Sequence, residues 1–158
     1  MTLSLLRVDD RLVHGQVVIG WGRPLAVRFI VLVDDGVRLS DWEQDLYRMA
    51  VPDGVEIIFA STGEAIRRLA EWAADPRPGI LLTGDLATMA SLHDADPALI
   101  HRINLGGIHH RPDRAERLRY IYLDAGEEAQ LRALAAAGAI ITAQDLPTSV
   151  PVALTELL

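Results

Sequence analysis

The chain reads as an α/β protein, an open, mostly parallel, twisted sheet of about seven strands with helices on both faces. Three observations carry that expectation. Short apolar runs alternate with helical patterns of about 10 residues, as in repeated βα units. Residues 27–33 (VRFIVLV) form a near-continuous apolar run rich in β-branched side chains, suited to a strand buried on both faces. Several of these runs end in Asp or Gly: Asp9-Asp10, Asp34-Asp35-Gly36, Gly84-Asp85 and Gly106-Gly107. In open α/β sheets that polar carboxyl edge is where ligands bind.

Each element has its own signal. Residues 3–8 are short, apolar-rich and followed by acids, a first strand. Val17, Val18 and Trp21 suit the buried face of a helix beginning near His14. Residues 22–24 break it, and residues 27–33 are the second strand. Trp42, Leu46, Met49 and Ala50 are spaced as a helical stripe, closed by Pro52 and Gly54. Residues 55–60 are the third strand. Ser61-Thr62-Gly63-Glu64 matches a capping box, with Ala65, Ile66, Leu69, Ala70 and Ala73 as the apolar stripe of the helix it opens. Residues 80–83 give a short fourth strand, residues 86–92 a weaker helix, and residues 100–105 a fifth strand ending at Gly106-Gly107.

Residues 111–119 read as a polar surface loop and residues 120–123 as a sixth strand. A helix over residues 127–137 turns Leu131, Leu134 and Ala135 inward, with Gly138 as its cap. Residues 139–143 are the seventh strand, and Gln144-Asp145-Leu146-Pro147 leads into a tail. No helix pattern separates the fifth and sixth strands, which leaves the sixth or seventh free to run antiparallel at an edge. Trp21, Trp42 and Trp72 lie within helical apolar stripes and are expected in the core or an interface. Nothing marks an internal repeat or linker, so residues 1–158 are expected to form one domain.

Composition excludes several functions. A formal net charge of −7 argues against nucleic acid as a partner, because phosphate contacts need clustered cations. All 15 basic residues are arginine, so no P-loop lysine, Schiff base or catalytic lysine is available. Without cysteine there is no disulfide, thiolate metal site or thiol nucleophile. No signal peptide and no apolar run of the ~20 residues that span a bilayer is visible, so a cytoplasmic location is expected.

The densest chemistry lies in residues 7–16, where Arg7, Asp9, Asp10, Arg11, His14, Gly15 and Gln16 fall within ten positions. An imidazole can act as base, metal ligand or nucleophile. Arg7 and Arg11 can hold an anion with paired N–H donors, and a helix start adds backbone N–H groups. Gly15 lets backbone approach that anion closely. Asp9 or Asp10 could hold one imidazole N–H and leave the other nitrogen free to attack. Together these suit phosphorylation of a histidine; the bland alternative is a helix start capped by Asp10 beside a solvated His14. Asp34, Asp35, Gly106, Gly107 and His109 end strands at the same edge and are candidate active-edge or partner contacts, although the aspartates could equally be turn or cap residues. His110 fits a surface loop, and His93 and His101 have no obvious partners.

Residues 7–17 (RVDDRLVHGQV) resemble the phosphorylation-site signature of the IIB component of mannose/fructose/sorbose-type phosphotransferase systems. The similarity continues through residues 31–35 (VLVDD), 49–52 (MAVP), 103–107 (INLGG) and 144–147 (QDLP), in the family's order and approximate spacing. The resemblance implies a cytoplasmic phosphocarrier that takes a phosphoryl group from a IIA phosphohistidine. It passes the group to a sugar imported through the membrane components IIC and IID, with which it associates peripherally. Carried over, His14 is the phosphoacceptor through Nδ1 and Arg11 neutralises the transferring group. Arg7, Asp10, Gly15 and Gln16 are supporting positions, and neither metal nor cofactor is required. A homodimer is compatible with this reading. The family often has Met after the Gly-Gly pair, where this chain has Ile108-His109-His110, and that departure bears on partner fit or phosphate stability. A different function for the same histidine is a regulatory phosphoprotein that signals without transport. A third is an unrelated hydrolase using His14 with a metal held by His109 or His110.

Overall fold

The computed structural model describes residues 3–158. Among them a seven-stranded sheet has the order β3-β2-β4-β1-β5-β8-β9, with β1 Leu3–Asp9, β2 Phe29–Val33, β3 Glu56–Ala60, β4 Gly79–Thr83, β5 Arg102–Gly107, β8 Ile140–Ala143 and β9 Val152–Ala153. Every pairing is parallel except β8 with β9. Central position explains sequence here. Each residue of β2 and β4 is buried, which their unbroken apolar runs require. β1 lies between β4 and β5, so its carboxyl end opens at the middle of the sheet's edge.

The helices divide between the two faces. α3 (Thr62–Ala74), α4 (Leu86–Ala95) and α5 (Ala125–Ala136) pack into one large core with Leu6, Val8, Leu81 and Leu105. Ser61 and Glu64 close the predicted capping box on α3, and Asp124 with Glu127 closes a second on α5. Gly138, at φ +101°, ends α5 in a Schellman motif, its N–H on the Ala135 carbonyl and that of Ala139 on the Leu134 carbonyl. The opposite face holds a smaller core, in which Val13, Val17, Val18 and Trp21 cover Ile30, Leu32, Ile80 and Leu82.

Several expectations need correction. The helix after His14 is a single π-helical stretch, Gln16–Trp21. A short α1 (Asp35–Arg38), unmarked by any long apolar pattern, precedes α2 (Asp41–Ala50), and the Trp42, Leu46 and Met49 stripe of α2 faces outward. Gln44 and Tyr47 take the inward side instead. On α3 the buried line is Ala65, Leu69 and Trp72, with Ile66 and Ala70 outside it; on α5, Ala135 is exposed. Residues 111–119 contain β6 (Ala115–Leu118), which pairs antiparallel with β7 (Ile121–Leu123). This hairpin stands outside the main sheet and hooks to it through Ile108, whose N–H reaches the Tyr120 carbonyl and whose carbonyl takes the Tyr122 N–H. The antiparallel edge strand is β9, in the tail, and β8 is parallel. A two-residue strand is too short to leave a periodic signal.

Candidate functional site

The site forms where β1 ends. Alternation along β1 turns Arg7 and Asp9 to one face, and both side chains are fully buried. Arg7 Nη1 donates to Asn104 Oδ1 at 2.7 Å and to the Gln144 carbonyl at 3.0 Å. Its Nη2 reaches Asp9 Oδ2 and the Asp145 carbonyl, each at 3.1 Å, and Gln16 Oε1 at 3.3 Å. The guanidinium also lies 5.4 Å from the centre of the Trp21 ring. Burial lowers the Arg7 pKa, while Asp9 opposes that shift.

Gly106 and Gly107 make this arrangement possible. A Cβ on Gly106 would collide with the Arg7 guanidinium, and one on Gly107 would sit 2.8 Å from Asp9 Oδ1. The Gly-Gly pair expected at the active edge therefore gives room to two buried charges. Arg7, expected to help hold an anion, has both terminal nitrogens committed to protein acceptors. It joins β1, β5 and the 144–145 segment beneath the site.

Asp9 gathers the candidate side chains Arg11 and His14. Its Oδ1 accepts the Arg11 backbone N–H and Nε–H, each at 3.1 Å. Its Oδ2 accepts from Arg11 Nη2 at 3.1 Å and lies 3.0 Å from His14 Nε2. Burial alone would raise the Asp9 pKa, but the hydrogen bonds from His14 and Arg11 and the charge of Arg7 hold it far below the usual carboxylate range. An ionised carboxylate can only accept, so His14 Nε2 carries the proton. His14 Nδ1 has no hydrogen-bond partner among the described residues. The imidazole is partly exposed, as is Arg11, whose Nη2 also donates to Gln16 Oε1 at 2.7 Å.

The loop is held by its backbone as well. Leu12 adopts φ +60°, a left-handed conformation that costs a non-glycine residue roughly 1 kcal/mol or more, and its N–H bonds to the Asp9 carbonyl at 3.0 Å. The His14 carbonyl accepts from Val17 and Val18, which fixes where the π-helical stretch starts. Nothing lies within 4 Å of a Cβ placed on Gly15, so space is open at that position. With six residues, the stretch supplies little of the aligned dipole expected of a helix start.

The other candidates separate. Asp10 does not touch His14; it accepts the His109 backbone N–H at 2.7 Å and lies 2.5 Å from His109 Nδ1. Arg114 continues that clasp, donating to the His109 carbonyl at 2.7 Å and forking onto Glu127 at 2.7 and 2.8 Å. Asp34 caps α1 by accepting from Val37 N–H, and Asp35 accepts from Thr62 N–H. Asp85 caps α4 in the same way. His110 packs edge-on against Tyr122, and His93 is buried with Nδ1 2.7 Å from the Ile100 carbonyl. Asn104 and the 144–145 carbonyls were missed as site residues, although a lone polar residue inside the β5 apolar run is a signal for the first.

The family model described as PTS system sorbose subfamily IIB component matches residues 3–158. The chain belongs to this family. This IIB chain is 28% identical over 156 residues to N-acetylgalactosamine-specific phosphotransferase enzyme IIB component 2 of Escherichia coli strain K12, covering 99% of the chain and 98% of that protein. The mannose-specific EIIAB component of the same strain is 34% identical over 67 residues, 42% of this chain and 21% of that longer protein. Among solved structures, N-acetylgalactosamine-specific IIB component 1 from Escherichia coli aligns with TM-score 0.86 at 27% identity, covering 94% of this chain and 96% of that one. The protein is thus a IIB phosphotransferase component, acting in phosphotransfer coupled to sugar transport.

Proposed function

We propose that this IIB chain carries a phosphoryl group on His14 Nδ1, taken from a IIA phosphohistidine and delivered to a sugar entering through IIC and IID. The observation that supports it most is the Asp9–His14 pair. An ionised, buried Asp9 holds the proton on Nε2 and leaves the Nδ1 lone pair as the nucleophile. In the transfer, Nδ1 forms a bond to phosphorus while the bond to the donor nitrogen breaks. The attacking ring becomes cationic, and Asp9 sits against the N–H that bears this charge. Arg11, anchored on Asp9 and Gln16 but partly exposed, answers the negative charge on the phosphoryl oxygens. Phosphoryl transfer asks a protein mainly for such positioning and charge stabilisation. Gly15 keeps side-chain bulk away from the incoming group. No residue in this arrangement has an evident part in choosing the sugar.

The test is direct. Incubation with phosphoenolpyruvate, enzyme I, HPr and the cognate IIA adds one acid-labile, alkali-stable phosphate to the wild type and none to His14→Ala. Phosphate incorporation by His14→Ala at the wild-type rate would remove His14 as the acceptor.

A further inference from the structure

The outward side of α2 has no part in the site. Trp42, Leu46 and Met49 are spaced 4 and 3, on one face of α2, and stay 69%, 54% and 83% exposed, while Leu39, in the turn that leads into α2, is 87% exposed. Large apolar side chains left this exposed on one helical face mark an interaction site. The orientation is fixed from the inside. Buried Gln44 donates from Nε2 to the Val37 and Arg38 carbonyls at 3.1 and 3.0 Å, satisfying the end of α1. Rolling α2 to bury the stripe would break both bonds.

We infer that this stripe is a docking surface for the cytoplasmic face of the membrane-embedded transport partner; the inference rests on the phosphocarrier reading above. Charge selects this occupant. Asp41 and Glu43 border the stripe and have no ion pair among the described residues, while Arg48 is occupied by Asp45 at 2.9 Å and stacks on Phe59. The rim is therefore acidic. A second copy would bring like charges together, and the anionic cytoplasmic leaflet would repel it. Cytoplasmic segments of integral membrane proteins carry an excess of Lys and Arg, which complements it. Placement agrees. α1 and α2 follow β2 directly, so the stripe begins at the carboxyl edge of the sheet, which also carries His14, and runs back from it. A partner seated on it reaches the edge where the phosphoryl group is exchanged.

The experiment compares wild type with a triple variant, Trp42→Ser, Leu46→Ser and Met49→Ser, whose positions are exposed and leave the fold intact. Binding is measured to inverted membrane vesicles with and without the cognate IIC and IID, alongside the rate of His14 phosphorylation by IIA. The expected result is at least ten-fold weaker binding to IIC/IID vesicles and an unchanged phosphorylation rate. Asp41→Arg should weaken binding less, by several-fold. Equal binding to vesicles lacking IIC and IID would make the surface a lipid contact and overturn the inference. So would unchanged vesicle binding, a slowed IIA reaction, or a wild-type dimer that the triple variant dissolves. Failure of the phosphocarrier reading is distinct, because the wild type would then accept no phosphate from IIA at all.

Discussion

Asp9 and Asp10 are adjacent in the chain and serve different neighbourhoods. Asp9 points into the sheet edge, is fully buried, and gathers Arg7, Arg11 and His14 around one carboxylate. Asp10 points the other way, remains partly exposed, and clasps the loop after β5 through His109 with Arg114 and Glu127 behind it. Strand alternation accounts for the divergence: consecutive side chains at a strand end leave on opposite sides. The lesson is that burial separates the roles. The carboxylate denied water gathers the charged and titratable side chains of the candidate site, and the carboxylate left near water ties two loops together.

That contrast can be broken experimentally, beginning with Asp9. Asp9→Asn turns one of the two accepting oxygens into a donating NH2, so the His14 proton is no longer fixed by a carboxylate, and it leaves Arg7 buried without its counter-charge. Transfer from IIA should fall by roughly 100-fold or more, judged by initial rates of phosphate incorporation. Stability should drop by about 3–5 kcal/mol, the usual cost of breaking a buried ion pair from one side, in urea unfolding. A variant that folds and transfers normally would remove Asp9 from the centre of the site.

The next effect concerns pH. Because the folded Asp9 pKa is depressed, its contribution to stability is fully present above the unfolded carboxylate value of about 4 and is lost as pH falls toward the lower folded value. Acid titration of wild type against Asp9→Asn should show the variant's stability declining less steeply below about pH 4. Identical slopes would mean that Asp9 does not carry the acid sensitivity.

Arg11→Ala sharpens the division between chemistry and structure. Since Arg11 is partly exposed and anchored at the site's surface, transfer should slow by about 10- to 100-fold while the melting temperature moves little. A large loss of stability would place Arg11 with Arg7 as a structural cation. The smallest change in transfer belongs to Asp10→Asn, within about threefold of wild type. Its stability cost should be about 1 kcal/mol, accompanied by faster amide hydrogen exchange at His109. A transfer defect as deep as that of Asp9→Asn would erase the contrast between the two carboxylates.

Much of the fold was legible because its signals are local. The apolar runs of β2 and β4 report burial on both faces, Ser61 and Glu64 report a capped helix start, and Gly138 reports a left-handed helix end. His14 and Arg11 were legible as a pair because they lie three residues apart in one loop. Other parts depend on distance in the chain. The helical period of α2 was visible, but its burial depended on Gln44 meeting the end of α1. β6 was hidden in a charged stretch because its hairpin pairs with β7 outside the main sheet.

The sequence by itself determined an alternating α/β chain with a polar carboxyl edge, a histidine just after two arginines on that edge, and the family that this pattern marks. Local periodicity, turn chemistry and side-chain type are written within a few residues, so they survive without coordinates. Tertiary structure alone decided that Arg7 is a buried joint, that Asp9 holds His14 while Asp10 holds His109, and that α2 turns its apolar stripe outward. Each of those outcomes depends on which distant group occupies the space beside a side chain: Asn104 and the 144–145 carbonyls around Arg7, Gly107 beside Asp9, and the α1 carbonyls over Gln44. Hydrogen-bond satisfaction of buried polar groups fixes those choices, and only the assembled sheet brings the partners together.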